Sequence, residues 1–400
     1  MAAGTIHRLR TILLLMFLTY GCAGSGEKDY VIFNIGLSNE GLAATTDCLE
    51  TESCDWLVEE VDSWAVDPDN AAGSVNVSYG RMESEGIANN VLKYATREAD
   101  GKWTIETADS GGVGWYSSIE VDSFGTAYIS YYDIVNHSLK YVTNANGFWL
   151  ADTIDSISSD TGQVTSLVLD SYRNVHITYY DFEHGSLRYA TNAFGLWAIS
   201  TIDQGGNTGW ASSLAIDKSV DRDRLHAVYM DDRGILKYAT KTSNGIWNIS
   251  SIDSIGSSAE LTGTLLKRMV SIDVDADGYV HIGYYDIAEM DLKYATNATG
   301  SWITSTVDST GDVGNENSIV TFLNGNQRVV LIFYLDAENG KLKYALNKAG
   351  GSGDWVTHTL PIPGSSWEVP SVSVSEDTEK IHVTAIDQLN NRLIYISPIP

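Results

Sequence analysis

From Trp56 to the C-terminus, apolar and polar residues alternate in short runs rich in Val, Ile, Thr and Tyr, and Gly, Asn, Asp and Ser separate the runs. A period of two places successive side chains on opposite faces of a strand, so this region reads as a succession of short β-strands joined by tight turns. No stretch shows a helical period. The segment before it opens with an apolar piece, Tyr30 to Leu37, and becomes polar around Cys48 and Cys54; it is assigned no strand of the array.

The strands recur as a unit. A Leu-(Lys/Arg)-Tyr start appears at Leu92, Leu139, Leu187, Leu236, Leu292 and Leu342, with a degenerate copy at Leu393, at intervals of 47, 48, 49, 56, 50 and 51 residues. Trp56, Trp103, Trp149, Trp197, Trp247, Trp302 and Trp355 recur at 47, 46, 48, 50, 55 and 53. Such a period with four alternating segments per unit is the signature of a β-propeller. The expected fold is all-β: a seven-bladed β-propeller of four-stranded antiparallel blades.

Within one unit the strands are Ser117 to Asp122 (A, innermost), Thr126 to Asp133 (B), Ser138 to Thr143 (C) and Trp149 to Asp155 (D). The inner strands then begin near Ser63, Ser117, Thr165, Ser212, Val270, Asn317 and Pro370. The last unit ends before a D strand, while Trp56 to Val61 precedes the first A strand without a blade of its own. Pairing it beside Leu393 to Ile396 closes the ring with an N-terminal strand and removes two exposed edges. B–C and D–A connections emerge on one face, expected to be the mouth; A–B and C–D turns emerge on the other.

Repetition removes the need for several domains, since each blade packs on its neighbours. The net charge of −27 argues against a nucleic-acid partner, because phosphate binding requires clustered Lys and Arg. At the N-terminus, His7, Arg8 and Arg10 precede an apolar run from Ile12 to Leu18, too short to span a bilayer and of export-signal type. The run ends in Gly21-Cys22, which resembles a bacterial lipoprotein box, with Thr19 where that family usually has Leu. The resemblance implies lipidation of Cys22; ordinary signal cleavage near Ala23 or Gly24 is the alternative. The expected organisation is a signal and anchor over 1–22, a tether and extension over 23–55, and the propeller over 56–400. In an oxidising compartment, Cys48 and Cys54 are expected to form a disulfide.

Asp133, Asp181, Asp231 and Asp286, with Asp336 and Asp387, end successive B strands. They form either a carboxylate ring at the mouth or a set of turn caps, each bonding its own backbone amides. Lys93, Lys140, Arg188, Lys237, Lys293 and Lys343 repeat in step and read as ion-pair partners. His176, His226, His281 and His382 read as interior, hydrogen-bonded side chains. Trp115, Trp210 and Trp367 fall where D–A loops are expected, as exposed planes for a sugar ring or as plugs of blade junctions. Trp64 aligns with Ile119 and belongs to the core. Asp273-Val-Asp275-Ala-Asp277-Gly278 resembles the opening of a calcium loop of the kind found between strands of integrin-type repeats, which makes Ca²⁺ the one candidate cofactor; an ordinary Asp-Gly turn is the competing reading. Two mouth loops exceed the repeat length, one carrying Arg81 and one carrying Lys267 and Arg268.

Across residues 56–397 the repeat resembles bacterial exported proteins with tandem propeller repeats, whose members include lectin-like and sialidase-like propellers. The Ser-x-Asp-x-Gly-x-Thr-Trp box and arginine cluster of sialidases are missing, as are a Gly-x-Ser-x-Gly elbow and a His-Glu-x-x-His helix. The function implied is a lipid-anchored envelope protein, monomeric, that binds a glycan or an extracellular protein at the mouth. Glycoside cleavage and a purely structural scaffold are the alternatives.

Overall fold

A computed structural model describes residues 41–63, 65–71, 75–82, 87–98, 100–157, 160–219, 223–242, 245–256, 268–351, 353–362, 366–375 and 380–399. The described residues form seven antiparallel sheets of four strands, each in the order A-B-C-D. Blade 1 is Ala65–Ala71, Asn76–Met82, Asn90–Arg97 and Trp103–Ser110; blade 2 is Val113–Val121, Ala127–Asp133, Ser138–Thr143 and Leu150–Asp155. Blades 3 to 6 begin at Thr161–Leu169, Thr208–Asp217, Val270–Val274 and Val313–Asn324. Blade 7 takes Trp367–Ser375, Lys380–Asp387 and Arg392–Ile399 from the end of the chain and Asp55–Ser63 from its beginning.

The closing strand pairs as expected, with Leu57 opposite Ser397, Val58 opposite Ile396 and Glu59 opposite Tyr395. It runs further than expected and includes Ser63, so the inner strand of blade 1 starts at Ala65 instead. Trp64 lies outside the described residues. Most other inner strands start earlier than expected, at Val113, Thr161, Thr208, Val313 and Trp367. Each contains a register shift against its B strand, so an alternation-based reading begins the strand only after the bulge. At four of these bulges a glycine has positive φ, and at Gly162 and Gly209 an added Cβ would lie 2.5 Å and 2.8 Å from Leu139 and Leu187 of the preceding blade. The Gly-rich stretches therefore serve close blade packing.

Two contacts repeat around the ring. The D-strand Trp of each blade packs on the C-strand Tyr of the preceding blade: Trp149 on Tyr94, Trp197 on Tyr141, Trp247 on Tyr189, Trp302 on Tyr238, Trp355 on Tyr294, Trp56 on Tyr344 and Trp103 on Tyr395, with centroids 4.9–5.8 Å apart. Six of these pairs are edge-on, an arrangement worth about 1 kcal/mol each beyond the area they bury. On the mouth side, a D-strand Asp reaches into the following blade. Tyr131 donates to Asp109 at 2.6 Å, Tyr179 to Asp155 at 2.7 Å, Tyr229 to Asp203 at 2.9 Å, Tyr284 to Asp253 at 2.7 Å and Tyr334 to Asp308 at 2.7 Å. The repeated cation completes the latch. Lys237 lies 2.9 Å from Asp203 and 3.3 Å from Asp231, and Arg188 and Lys293 bridge their two carboxylates in the same way. Burial opposes ionisation of Asp203, Asp253 and Asp308, but bonds from the Lys, the Tyr and a backbone amide outweigh it and hold all three below the usual carboxylate range.

The junction that closes the ring uses the same device. Tyr79 donates to Asp62 at 2.7 Å, and Glu59 accepts Nε and Nη2 of Arg97 at 2.7 Å and the Trp103 indole at 3.2 Å. The junction between blades 6 and 7 differs, because Pro361, Ala385 and Ile394 stand where the other blades carry Asp, Tyr and Lys. Leu360, Ile362, Trp367, Ala385 and Ile394 share one apolar cluster here with Cys48, Leu49 and Cys54. The cysteines belong to an element the sequence pattern did not reveal, helix α1 (Gly41–Thr51). The expected disulfide links Cys48 on this helix to Cys54, directly before the closing strand. Tyr344 donates to the carbonyl of Leu49 at 2.9 Å, and Lys348 pairs with Asp47 and Glu50. The helix is anchored by tertiary contacts, since eleven residues are too few for a stable isolated helix.

The four repeated His are interior, as expected. His176, His226, His281 and His382 contact the hydroxyls of Tyr189, Tyr238, Tyr294 and Tyr395 at 2.5–2.7 Å. Burial pushes His226 and His382 down to about 4.

Two outcomes follow from this architecture. Removing residues 393–400 deletes most of the third strand of blade 7 and leaves two open edges; calorimetry should show the single cooperative transition replaced by broad, early melting. Because the folded pKa values of His226 and His382 lie below the unfolded value of about 6.5, the unfolded chain binds more protons between those limits. Stability is therefore full above pH 6.5 and falls as pH drops toward 4, by about 3 kcal/mol for each His at the lower end. His226→Leu, matching Leu331 at the same place in blade 6, should flatten the Tm-against-pH slope over that interval. It should also lower Tm at pH 7, since the Tyr238 hydroxyl loses its partner.

Candidate functional site

The seven inner strands surround the ring axis with one unpaired edge each, so their free amides need acceptors. A repeated serine supplies them. Ser118, Ser166, Ser213, Ser271, Ser318 and Ser371 stand at one level, each opposite the B-strand residue three before the terminal Asp. The amides of Leu167, Leu214 and Val372 donate to the hydroxyls of Ser118, Ser166 and Ser318 in the preceding blade at 3.0–3.1 Å. Two residues further along, the chemistry diversifies to Glu120, Val168, Ala215 and Asp273. These four line a cavity of about 570 Å³ on the axis.

The cavity lies on the A–B side of the ring, with walls from blades 2 to 6. This is the face opposite the expected mouth. Its apolar wall includes Val168, Leu214, Ile216, Ile272 and Phe322, and its polar wall includes Thr321 and Ser219. Four carboxylates, Glu120, Asp217, Asp273 and Asp275, face two cations, Lys218 and Arg328. Arg328 is already engaged, 2.6 Å from Asp275 and paired with Asp277. The interior is therefore acidic and rich in hydrogen-bond acceptors. Asp273 accepts the amide and hydroxyl of Thr321 at 2.6 Å and 2.8 Å, while burial raises its carboxyl above the ordinary value.

On the same face, aromatic side chains project from the A–B turns. Phe124 and Tyr172 stand 78% and 82% exposed on blades 2 and 3, and Tyr279 lies on blade 5. The Arg173 guanidinium sits 5.0 Å from the Phe124 ring. Further out on the same face, the C–D loops carry Phe148, Phe194, Leu196 and Ile246, all exposed.

The predicted site residues are distributed differently. Trp210 and Trp367 are not exposed planes: both are buried in apolar clusters at blade junctions, because they belong to the bulged start of strand A and not to a D–A loop. Trp115 is half-buried at the equivalent place in blade 2. Asp133, Asp181, Asp231 and Asp286 are buried and cap their own turns, through the amides of Asn136, His184, Arg233 and Ala288 at 2.9–3.2 Å. A carboxylate ring open to the mouth is thereby replaced by separate caps. Arg81 turns to the ring closure, 3.6 Å from Asp62. Arg268 reaches across the axis and donates to the carbonyl of Ser117 at 3.2 Å. Lys267 and Cys22 lie outside the described residues.

The calcium-loop residues do not converge. Asp273 faces Thr321, while Asp275 accepts the amides of Asp277 and Tyr279 at 3.0 Å and meets His281 at 2.9 Å. Burial opposes ionisation of Asp275, but its bonds to His281 and Tyr279 and the nearby Arg328 hold it below the usual range. Among the described residues no group of three His, Cys, Asp or Glu is arranged to hold a metal ion, and no helix is long and apolar enough to cross a membrane.

Sequence reasoning missed Phe124 and Tyr172. The available signal was an aromatic residue inside an Asp-x-x turn, where the side chain stands largely in solvent.

Compared as a sequence, the chain matches no family model and no curated protein. Compared as a structure, it is similar to other propellers. An ulvan lyase of polysaccharide lyase family PL25, bound to -[GlcA(1-4)Rha3S]-, superposes with TM-score 0.56 at 11% identity over 85% of this chain and 95% of that one. AofleA from Arthrobotrys oligospora superposes with TM-score 0.51 at 14% identity over 77% and 90%. The Aleuria aurantia lectin fits more loosely, at TM-score 0.48 and 10% identity over 68% and 88%. At these identities the likeness is one of fold.

The burial of Trp210 separates scaffold from site. Trp210→Ala should cost about 3–5 kcal/mol, read as a fall in denaturation midpoint. Phe124→Ala and Tyr172→Ala should leave the midpoint nearly unchanged.

Proposed function

We propose that this protein is an exported, lipid-anchored propeller that binds a neutral saccharide in the axial cavity on its A–B face. The observation that carries the reading is a cavity within the size range of small-ligand sites, lined by aliphatic side chains and by carboxylates and hydroxyls, on the face whose A–B turns also carry the exposed Phe124 and Tyr172. A pyranose has the same two-sided character: its hydroxyls suit Asp and Thr acceptors and donors, and its C–H face suits an aromatic plane. The lyase named among the propellers of similar fold agrees with a carbohydrate ligand.

Charge narrows the class. Four carboxylates against two cations, one of them already paired, disfavour a uronate or sulfated chain of the kind bound by the PL25 lyase. A neutral or amino sugar fits the field. The cavity's carboxylates serve as hydrogen-bond acceptors in this reading, and no catalytic step is assigned to them.

An array of neutral, amino and acidic oligosaccharides tests this. Neutral or amino sugars should bind, with Phe124→Ala and Tyr172→Ala each raising Kd about tenfold, the equivalent of about 1.4 kcal/mol. Binding confined to acidic glycans, or unaffected by both changes, would defeat the proposal. The anchor is tested separately: fatty-acid labelling of the wild type should be lost in Cys22→Ser, with release of the protein from the membrane fraction.

A further inference from the structure

Of the neutral and amino sugars admitted above, we infer that the axial cavity selects those carrying a free amino group, and that Asp217 holds the ammonium; this rests on the saccharide-binding reading. The observation is a repeated set of bonds that blade 4 lacks. In blades 2, 3 and 5 the Asp at the A–B turn uses both of its oxygens within the protein. Asp122 accepts the amides of Phe124 and Thr126 through Oδ1 and the Tyr128 hydroxyl through Oδ2, at 2.9–3.1 Å. Asp170 accepts the amides of Tyr172 and Asn174 through Oδ1, while its Oδ2 accepts Asn174 Nδ2 at 2.7 Å and meets His176 Nε2 at 3.4 Å. Asp275 is filled in the same way, by two turn amides on Oδ1 and by His281 and Arg328 on Oδ2.

Asp217 occupies this place in blade 4 and departs from the pattern. Its Oδ1 accepts the amide and hydroxyl of Ser219 at 2.8 Å and 2.5 Å, and its Oδ2 accepts no hydrogen bond among the described residues. His226, the counterpart of His176 and His281, contacts Tyr238 as they contact their own Tyr, but its Nε2 is buried without a partner. The cause is a longer connection. Val175 and Val280 follow their turn Asp by five residues and Leu225 follows Asp217 by eight, so strand A continues until Asp217 pairs in register with Arg224. Across the junction blade 5 brings Gly278 against Oδ2, where an added Cβ would lie 3.0 Å away, so that position offers it no side-chain donor.

Asp217 is 4% exposed and belongs to the cavity wall, so the group that completes it comes from the cavity. The rest of the wall leaves its charge standing. Asp273 already holds Thr321, and Arg328 is held by Asp275 and Asp277. Burial pushes His226 down to about 4, which leaves its ring uncharged at neutral pH. Lys218 is exposed, where water and salt screen it. A carboxylate oxygen withdrawn from water and lacking a donor is costly. A sugar hydroxyl completes it with one hydrogen bond. A protonated amine completes it with a hydrogen bond between opposite charges and adds positive charge to a wall where carboxylates outnumber cations four to two. An N-acetylated nitrogen keeps an N–H and loses the charge, so the free amino sugar is the class this wall fits.

An oligosaccharide array identifies the best-bound hexose, and calorimetry on the full-length protein then compares its free-amino, N-acetylated and hydroxyl forms, such as glucosamine, N-acetylglucosamine and glucose. The amino form should bind about tenfold more tightly than the other two, and added salt should weaken the amino form alone. Asp217→Asn, which keeps an acceptor for Ser219, should bring the three forms within about twofold of one another while leaving the Kd of the hydroxyl form nearly unchanged. Asp217→Glu, which keeps the charge, should keep a preference for the amino form. Equal affinity for the three forms in the wild type, or a preference that survives Asp217→Asn, overturns the inference while saccharide binding stands. Binding of 1,4-diaminobutane as tight as that of the amino sugar, and lost in Asp217→Asn, overturns the saccharide reading and leaves the cation contact at Asp217. Absence of binding to any array member overturns both.

Discussion

The structure depends on one interaction repeated across blade junctions: an Asp, buried or partly buried, at the end of one blade that accepts a Tyr hydroxyl and a Lys or Arg from the next. Sheet hydrogen bonds hold each blade together but say nothing about its neighbour. The Trp–Tyr contacts at the outside and the Asp-centred latch on the mouth side together fix the angle between blades. A carboxylate withdrawn from water, as Asp155 and Asp308 are, is costly unless its partners are complete, so the latch is more specific than apolar packing. The closing strand carries its own Asp62, which is why a strand from the far end of the chain can finish blade 7 without a weaker seam.

The exception at blades 6 and 7 shows what replaces the latch. Pro361, Ala385 and Ile394 put no carboxylate, hydroxyl or cation in its three positions, and the junction is made of aliphatic side chains extended by α1 and its disulfide. Such a seam has less directional character. The covalent link between Cys48 and Cys54 compensates by holding the helix against the start of the closing strand.

The periodicities of Leu-Lys-Tyr and Trp made the blade count and the closing strand legible in the amino-acid sequence alone, and the short spacing of Cys48 and Cys54 did the same for the disulfide. The helix was not legible: its eleven residues contain too few turns to show a period, and its stability comes from blades 6 and 7. The site was misplaced for a related reason. Trp115, Trp210 and Trp367 look like loop residues in a linear reading, yet a bulged strand start draws Trp210 and Trp367 into the junctions. Alternation cannot reveal a bulge, since one extra residue inverts the predicted facing of every side chain before it.

The inner strands show where a repeat protein can acquire a ligand. At the serine level, six blades carry the same residue: the hydroxyls of Ser118, Ser166 and Ser318 accept an amide of the following blade and that of Ser271 donates to Asn317, so a change at these four leaves a polar group unpaired. Two residues on, the positions that line the cavity hold different groups, Glu120, Val168, Ala215 and Asp273, of which Asp273 accepts from Thr321 of the next blade. Seven-fold repetition would present seven identical groups to a ligand on the axis, which suits only a symmetric guest. The loss of symmetry in this one ring of positions, framed by a level where symmetry is kept, gives the axial cavity distinct walls, and the Arg268 bridge from blade 5 to Ser117 of blade 2 adds a further asymmetric contact on the other side of the serine level.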